Sequence, residues 1–184
     1  MASSSLGVPA DATAGIIDIG FSGKRADCSL IYTGSGETTD RVVNFSFNSS
    51  SNQKISASGS GLLTFTSAFT SNATSQTGRL RLGGTGTGEY TQALPDLPTN
   101  GLNKQDAGEW TLSGVSDYTE PTYIERGTLT VTTIADYGVN SSIGAPASGD
   151  IRMGANADNQ DGELRYIGTG ASSNRTIAIG VTDR

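Results

Sequence analysis

The chain has 184 residues, of which 34% are hydrophobic and 16% charged, and its formal net charge is −6. Gly, Ser and Thr account for 71 of these residues. There is no apolar run near the ~20 residues that span a bilayer, no Gly-X-Y period, and no excess of Ala, Glu, Lys, Leu and Arg, which excludes a helical membrane protein, a collagen-like chain and a helical bundle.

Two residue types limit the chemistry. Cys28 is the single cysteine and histidine is absent. An internal disulfide, Ser-His-Asp and Cys-His catalysis, and most zinc sites are therefore excluded. We expect Cys28 to be a small buried hydrophobe, as cysteines commonly are.

The N-terminus and the charge distribution bear on location and partners. Residues 1–8 lack the basic segment and apolar stretch of a signal peptide, which predicts a protein used in the cytoplasm or one whose leader was removed in cloning. Residues 1–88 carry a net charge of +1 and residues 89–184 carry −7. No basic patch interleaved with aromatic residues is visible, so no nucleic-acid partner is predicted.

In the first half of the chain, residues 1–14 are small and polar and read as an extended arm. Short apolar or alternating runs bounded by Gly, Ser, Asn and Asp then predict strands. The last of these runs places Arg79 and Arg81 on the face opposite Leu80 and Leu82. The predicted strands lie at 16–21, 28–33, 43–47, 63–69 and 79–82.

In the second half, residues 83–88 predict a flexible glycine-rich loop, and a helical turn is predicted within residues 101–107. Strands are predicted at 110–115 and 128–134, the latter from its many β-branched residues. Three further runs, at 151–154, 164–167 and 177–180, recur every thirteen residues. Short strands with tight connections predict a three-stranded antiparallel meander there, after a hinge at 145–149.

These elements together predict an all-β protein. About eleven short strands with almost no helix favour an antiparallel β-sandwich or jelly roll. The predicted organisation is an N-terminal arm at 1–14, a sandwich domain at 15–144 and a C-terminal meander or arm at 145–184.

A few side chains are candidates for a site. Asp158, Asp161 and Glu163 are candidate calcium ligands, although Asp, Asn and Gly here are also what a hairpin turn requires. Asp117 and Glu125 are a possible carboxylate pair for a glycoside hydrolase. No cofactor and no catalytic residue is predicted, and the chain is expected not to be an enzyme.

Four aromatic side chains are predicted to take part in contacts. Trp110 alternates with Leu112, which favours a position for its side chain in the hydrophobic core. Tyr118, Tyr123 and Tyr137 lie near it in sequence and predict an exposed contact patch.

Two local resemblances add to this. Residues 108–112, 115–117 and 127–131 resemble the end of the P domain of subtilisin-like proprotein convertases, which implies a jelly-roll sandwich. Gly114 is inserted relative to that family, and its usual last-strand Trp is replaced by Val131. Residues 149–152 and 162–170 resemble hairpins of tailed-phage virion proteins, although Arg165 replaces the usual acid and no Trp closes the motif.

The second resemblance, with the small-residue ends and the missing active site, predicts a structural virion protein of a tailed bacteriophage. A capsid decoration or cement protein is favoured over a tail-fibre or adaptor piece. Its predicted partners are the major capsid protein and further copies of itself, with no membrane, and its predicted location is the virion. The alternatives are a P-domain-like or carbohydrate-binding β-sandwich module of an extracellular protein, and a carboxylate-based hydrolase.

Overall fold

A computed structural model describes residues 7–11, 13–20, 26–72, 76–154 and 161–180. Sixteen short strands are found in these residues, and no helix among them is long and apolar enough to cross a membrane. In chain order the strands are β1 Ile17–Gly20, β2 Cys28–Tyr32, β3 Glu37–Thr39, β4 Val43–Ser46, β5 Gln53–Ala57, β6 Leu63–Phe65, β7 Thr70–Ser71, β8 Leu80–Gly83, β9 Thr87–Tyr90, β10 Leu102–Lys104, β11 Glu109–Leu112, β12 Thr122–Ile124, β13 Gly127–Val131, β14 Ile151–Met153, β15 Gly162–Tyr166 and β16 Ile177–Ile179.

Each strand pairs with the strand one turn earlier or later, and every one of these strand pairs is parallel. Sheet A has the order β1-β4-β7, sheet B the order β16-β14-β12-β10-β8-β5-β2, and sheet C the order β15-β13-β11-β9-β6-β3. The chain thus winds as a stack of rungs, a parallel β-solenoid of about six turns. Sheet A is limited to the first three rungs, and loops take its place in the later ones.

The antiparallel jelly-roll sandwich predicted from the sequence is therefore wrong, and so is the antiparallel meander. Among the described residues, antiparallel pairing is limited to an isolated bridge between Ser116 and Ser141. The thirteen-residue spacing of Ile151, Leu164 and Ile177 is half a turn, because it alternates between sheets B and C. The domain boundaries at residues 14 and 144 remain predictions.

One further local expectation fails, and another holds only in part. The predicted helical turn at 101–107 contains β10, whereas in the predicted loop at 83–88 residues 84–86 connect two strands, because β8 ends at Gly83 and β9 begins at Thr87. Both segments are short and poor in periodic apolar residues. Their strand conformation comes from the neighbouring rungs, which supply hydrogen-bond partners on both sides.

The core is built from inward-facing side chains that stack in register from rung to rung. In sheet C one such ladder runs through Phe65, Tyr90, Leu112 and Val131, all of which are buried. Phe69 stacks on Tyr90 with ring centroids 4.0 Å apart and extends the aromatic packing toward sheet A. Alternation in each strand sends the intervening side chains outward.

A row of glycines lies where the chain turns from sheet B into sheet C, a region that we call the B–C corner: Gly86, Gly108, Gly127 and Gly162. A Cβ on Gly108 would lie 2.3 Å from the carbonyl oxygen of Gly86, and one on Gly127 would lie 2.4 Å from that of Gly108. Successive rungs approach so closely here that the Cβ of any other residue at these positions would collide with the backbone of the preceding rung.

We predict that Gly108→Ala lowers the free energy of unfolding by about 1–3 kcal/mol or more, because the added methyl group meets backbone that cannot rotate away. The neighbouring variant Ala107→Ser also adds one heavy atom, but at an exposed position, and should change stability by less than about 0.5 kcal/mol. Urea unfolding followed by circular dichroism measures both. Equal stabilities for the two variants would contradict this packing of the corner.

Candidate functional surface

The outer side of sheet B carries a concentration of basic side chains. Alternation places Lys54, Arg81 and Arg152 outward on one ladder, together with Asn103 and Tyr123. Arg79, just before β8, reaches the same surface. We call the outer surface formed by Lys54, Arg79, Arg81, Asn103, Tyr123, Glu125 and Arg152 the basic face.

Tyr123 is the centre of this face. The guanidinium carbon of Arg79 lies 4.6 Å from the centroid of the Tyr123 ring, and that of Arg152 lies 5.5 Å from it. Arg79 can reach Tyr123 from two rungs away because Gly101, its neighbour on the intervening rung, has no side chain. Cations over the face of an aromatic ring are attracted by its quadrupole, so the ring holds two arginines on the surface.

Glu125 organises the polar groups beside the ring. Its carboxylate accepts hydrogen bonds from Asn103 Nδ2 at 2.7 Å and Gln105 Nε2 at 2.9 Å, and Arg79 Nη1 lies 3.4 Å from it. Asn103 is fully buried beneath the outer side chains. These contacts tie three rungs together and fix the direction in which the Arg79 side chain points.

Arg81 differs from its neighbours. It makes no hydrogen bond or ion pair with the described part of the chain, and its Nε is buried without a partner. Lys54, by contrast, pairs with Asp106 at 2.7 Å. Arg81 therefore brings to the basic face a half-buried positive charge that no described group of this chain balances.

The B–C corner borders the basic face and contains a buried lysine. Lys104 occupies a core position, and its Nζ donates to the carbonyl oxygens of Gln105, Asp106 and Arg126 at 2.8–2.9 Å. Burial lowers the pKa of Lys104 to about 8. Burial alone would raise the pKa of Asp106, but hydrogen bonds from Lys54 and from the Gly84 N–H outweigh it and lower that pKa.

The candidates from the sequence are scattered over the fold. Trp110 is fully buried, with its Nε1 donating to the Gly83 carbonyl at 2.9 Å, and Tyr118 is buried with its hydroxyl 2.9 Å from Thr122 Oγ1. Tyr137 lies in the loop after β13, where its hydroxyl donates a hydrogen bond to the Gly149 carbonyl and lies 2.9 Å from Thr176 Oγ1. Tyr123 alone of the four lies on an outer sheet face, and its role in contacts remains a prediction.

The carboxylate candidates do not form a cluster. Glu163 bonds to Arg165 and Thr128 on the outside of sheet C, Asp161 is exposed, and Asp158 lies outside the described residues. No group of three or more Cys, Asp or Glu side chains in the described residues is arranged to hold a metal ion. Asp117 is exposed on a loop, whereas Glu125 is occupied by the donors of the basic face.

A concave feature lies at the first rung, away from this face. A cavity of about 530 Å³ is open there and is lined largely by core-facing side chains such as Leu30, Tyr32, Leu63 and Phe65. It is the exposed end of the solenoid interior. Glu37 and Arg41 are its charged lining residues.

Comparison with known proteins gives one family match and one curated relative. Residues 102–131, which contain β10 to β13, match the family described as passenger-associated-transport-repeat. The chain is also 37% identical, over 185 aligned residues, to the adhesin BmaC autotransporter of Brucella suis biovar 1 (strain 1330). That alignment includes 91% of this chain but only 5% of the relative. No solved structure matches the chain significantly.

These matches correct the predicted identity. The chain matches a passenger-associated transport repeat and an autotransporter adhesin. The prediction of a phage virion protein is therefore wrong, and so are its capsid partner and its location in the virion. The tail-fibre, P-domain-like and carbohydrate-binding sandwich alternatives fail with them. Two of the three segments that resemble a P domain contain β11 and β13, which pair in parallel as adjacent rungs rather than across a sandwich.

We predict that the stability of the protein rises between about pH 8 and pH 10. Folded Lys104 releases its proton near pH 8, whereas the unfolded chain keeps it until about pH 10.5, so the unfolded state binds more protons in this window. A Lys104→Met variant should be less stable, because three carbonyls lose their donor, and should not show the rise. The control variant Lys54→Met retains the buried ammonium group of Lys104 and should show the rise in stability. Unfolding by urea at several pH values measures this; a rise that persists in Lys104→Met would contradict it.

Proposed function

We propose that this chain is a segment of the passenger of an autotransporter adhesin, carried on the outer surface of a bacterium. The observation that carries the proposal is the 37% identity to an autotransporter adhesin along 91% of the chain. The parallel solenoid supports it independently, because a stack of rungs makes a stiff body whose length grows with the number of rungs.

The transport repeat falls on a distinctive part of this stack. Its residues, 102–131, contain the two rungs that are most closely spaced along the chain, since β12 begins 20 residues after β10. Short connections reduce the loop entropy that is lost when a rung forms. We infer that these rungs form readily when the chain folds, and that the others then stack on them.

The proposal predicts that this segment is accessible on intact bacteria. An epitope tag inserted between Ala171 and Ser172, in an exposed loop before β16, should leave the rungs intact and be detected by antibody without permeabilising the cells. A tag between Trp110 and Thr111 interrupts a buried strand and should abolish the surface signal. The tags are placed in the whole gene in its own bacterium.

Two outcomes oppose the proposal. Detection of the Ala171 tag only after permeabilisation, with the full-length protein present, would contradict surface display. Unchanged attachment to host cells after deletion of the gene would contradict the adhesin assignment while leaving surface display intact.

A further inference from the structure

Charge is segregated around the solenoid. The outer face of sheet C presents Glu89, Glu109 and Glu163 on two neighbouring ladders. The guanidinium of Arg165 is held on this face, 3.1 Å from Glu109 and 3.0 Å from Glu163. The loops that replace sheet A carry Asp96, Asp117, Glu120, Asp136 and Asp150. In the part of the chain that the structure describes, the basic face thus carries more positive than negative charge, although the net charge of the whole chain is −6.

The basic face also has the geometry of an extended binding surface. Its ladder runs along the solenoid axis, with rungs about 4.8 Å apart. Arg81 and Arg152 are three rungs apart on it, about 14 Å, with Asn103 and Tyr123 between them. A linear ligand lying along the axis would meet a guanidinium group, an aromatic ring and a second guanidinium group in succession.

Arg81 indicates the chemistry of the ligand. The residue is partly buried, and its Nε is buried without a hydrogen-bond partner. Leaving a buried polar group unpaired is costly, so an anion that accepts a hydrogen bond from this guanidinium gains free energy. Guanidinium groups bind carboxylate and sulfate-like groups through paired hydrogen bonds. Arg81 can turn toward such a group without breaking any hydrogen bond to the described residues.

We propose that the basic face binds an acidic polysaccharide, with Arg81 and Arg152 pairing with its carboxylate or sulfate groups and the Tyr123 region contacting a sugar ring between them. The proposal rests on the proposed adhesin function and names the class of ligand for it. The proposed site lies on the outer face of sheet B and does not include Tyr118 or Tyr137.

The test is binding of the purified 184-residue chain to a heparin dodecasaccharide, measured by calorimetry at 50 mM NaCl. Arg81→Gln should weaken binding about tenfold or more, as expected for loss of a charge-assisted hydrogen-bonded pair. Arg165→Gln is the matched control: it makes the same change in charge on the outer face of sheet C and should alter binding less than twofold. Circular dichroism checks that both variants are folded.

Several results would overturn the proposal. These are no binding of heparin by the wild-type chain, equal loss in the Arg81 and Arg165 variants, and binding that persists undiminished at 500 mM NaCl, since exposed ion pairs are screened by salt. Equal, Arg81-dependent binding of poly-glutamate would also overturn it, because the face would then recognise charge alone. Uncharged dextran should not bind.

This experiment can fail independently of the adhesin assignment. Surface display without heparin binding would remove only the polysaccharide ligand. Heparin binding by a chain that is not displayed on bacteria would remove only the assignment as an autotransporter passenger.

Discussion

The close approach of successive rungs at the B–C corner is the constraint on which the rest of the structure depends. The backbone of each rung there lies where the Cβ of the next would be, so the position is restricted to glycine, as at Gly108 and Gly127. Lys104 binds three carbonyl oxygens at the same turn, and Asp106, at a positive φ of 60°, joins the corner to Lys54. With the turn fixed, sheets B and C must stack in register.

Register in turn determines the surface. Because each residue lies directly over its equivalent one turn away, side chains that are far apart in the sequence become neighbours along the axis. The inward ladders become a continuous core, and the outward ladders become stripes in which side chains from successive rungs lie in line. The basic face is such a stripe, and the contacts of Tyr123 and Glu125 with side chains from other rungs depend on this stacking.

Many of the strands could be predicted from the sequence, but which strands pair, and in which direction, could not. The alternation around Phe45 and in 128–131 correctly indicated strands, since a half-buried parallel strand and a half-buried antiparallel one have the same period of two. The repeat that would have distinguished them is Gly-x-apolar-x-apolar, at 108–112, 127–131 and 162–166. Its spacing varies with the length of the loops, which hides it from a search for a fixed period. The placement of Arg79 and Arg81 opposite two leucines was correct, but their gathering with Arg152 required the register.

Distances between spin labels on one outward ladder test the solenoid most directly. Labels at Thr38→Cys and Arg165→Cys are five rungs apart in sheet C, and labels at Ser29→Cys and Ala178→Cys are six rungs apart in sheet B, all in a Cys28→Ser background. With about 4.8 Å per rung, the backbone separations should be about 24 Å and about 29 Å, before the length of the labels is added. Pulsed electron–electron double resonance should yield two narrow distributions that differ by about one rung. Broad distributions, or a Ser29–Ala178 distance shorter than the Thr38–Arg165 distance, would contradict the parallel in-register stack.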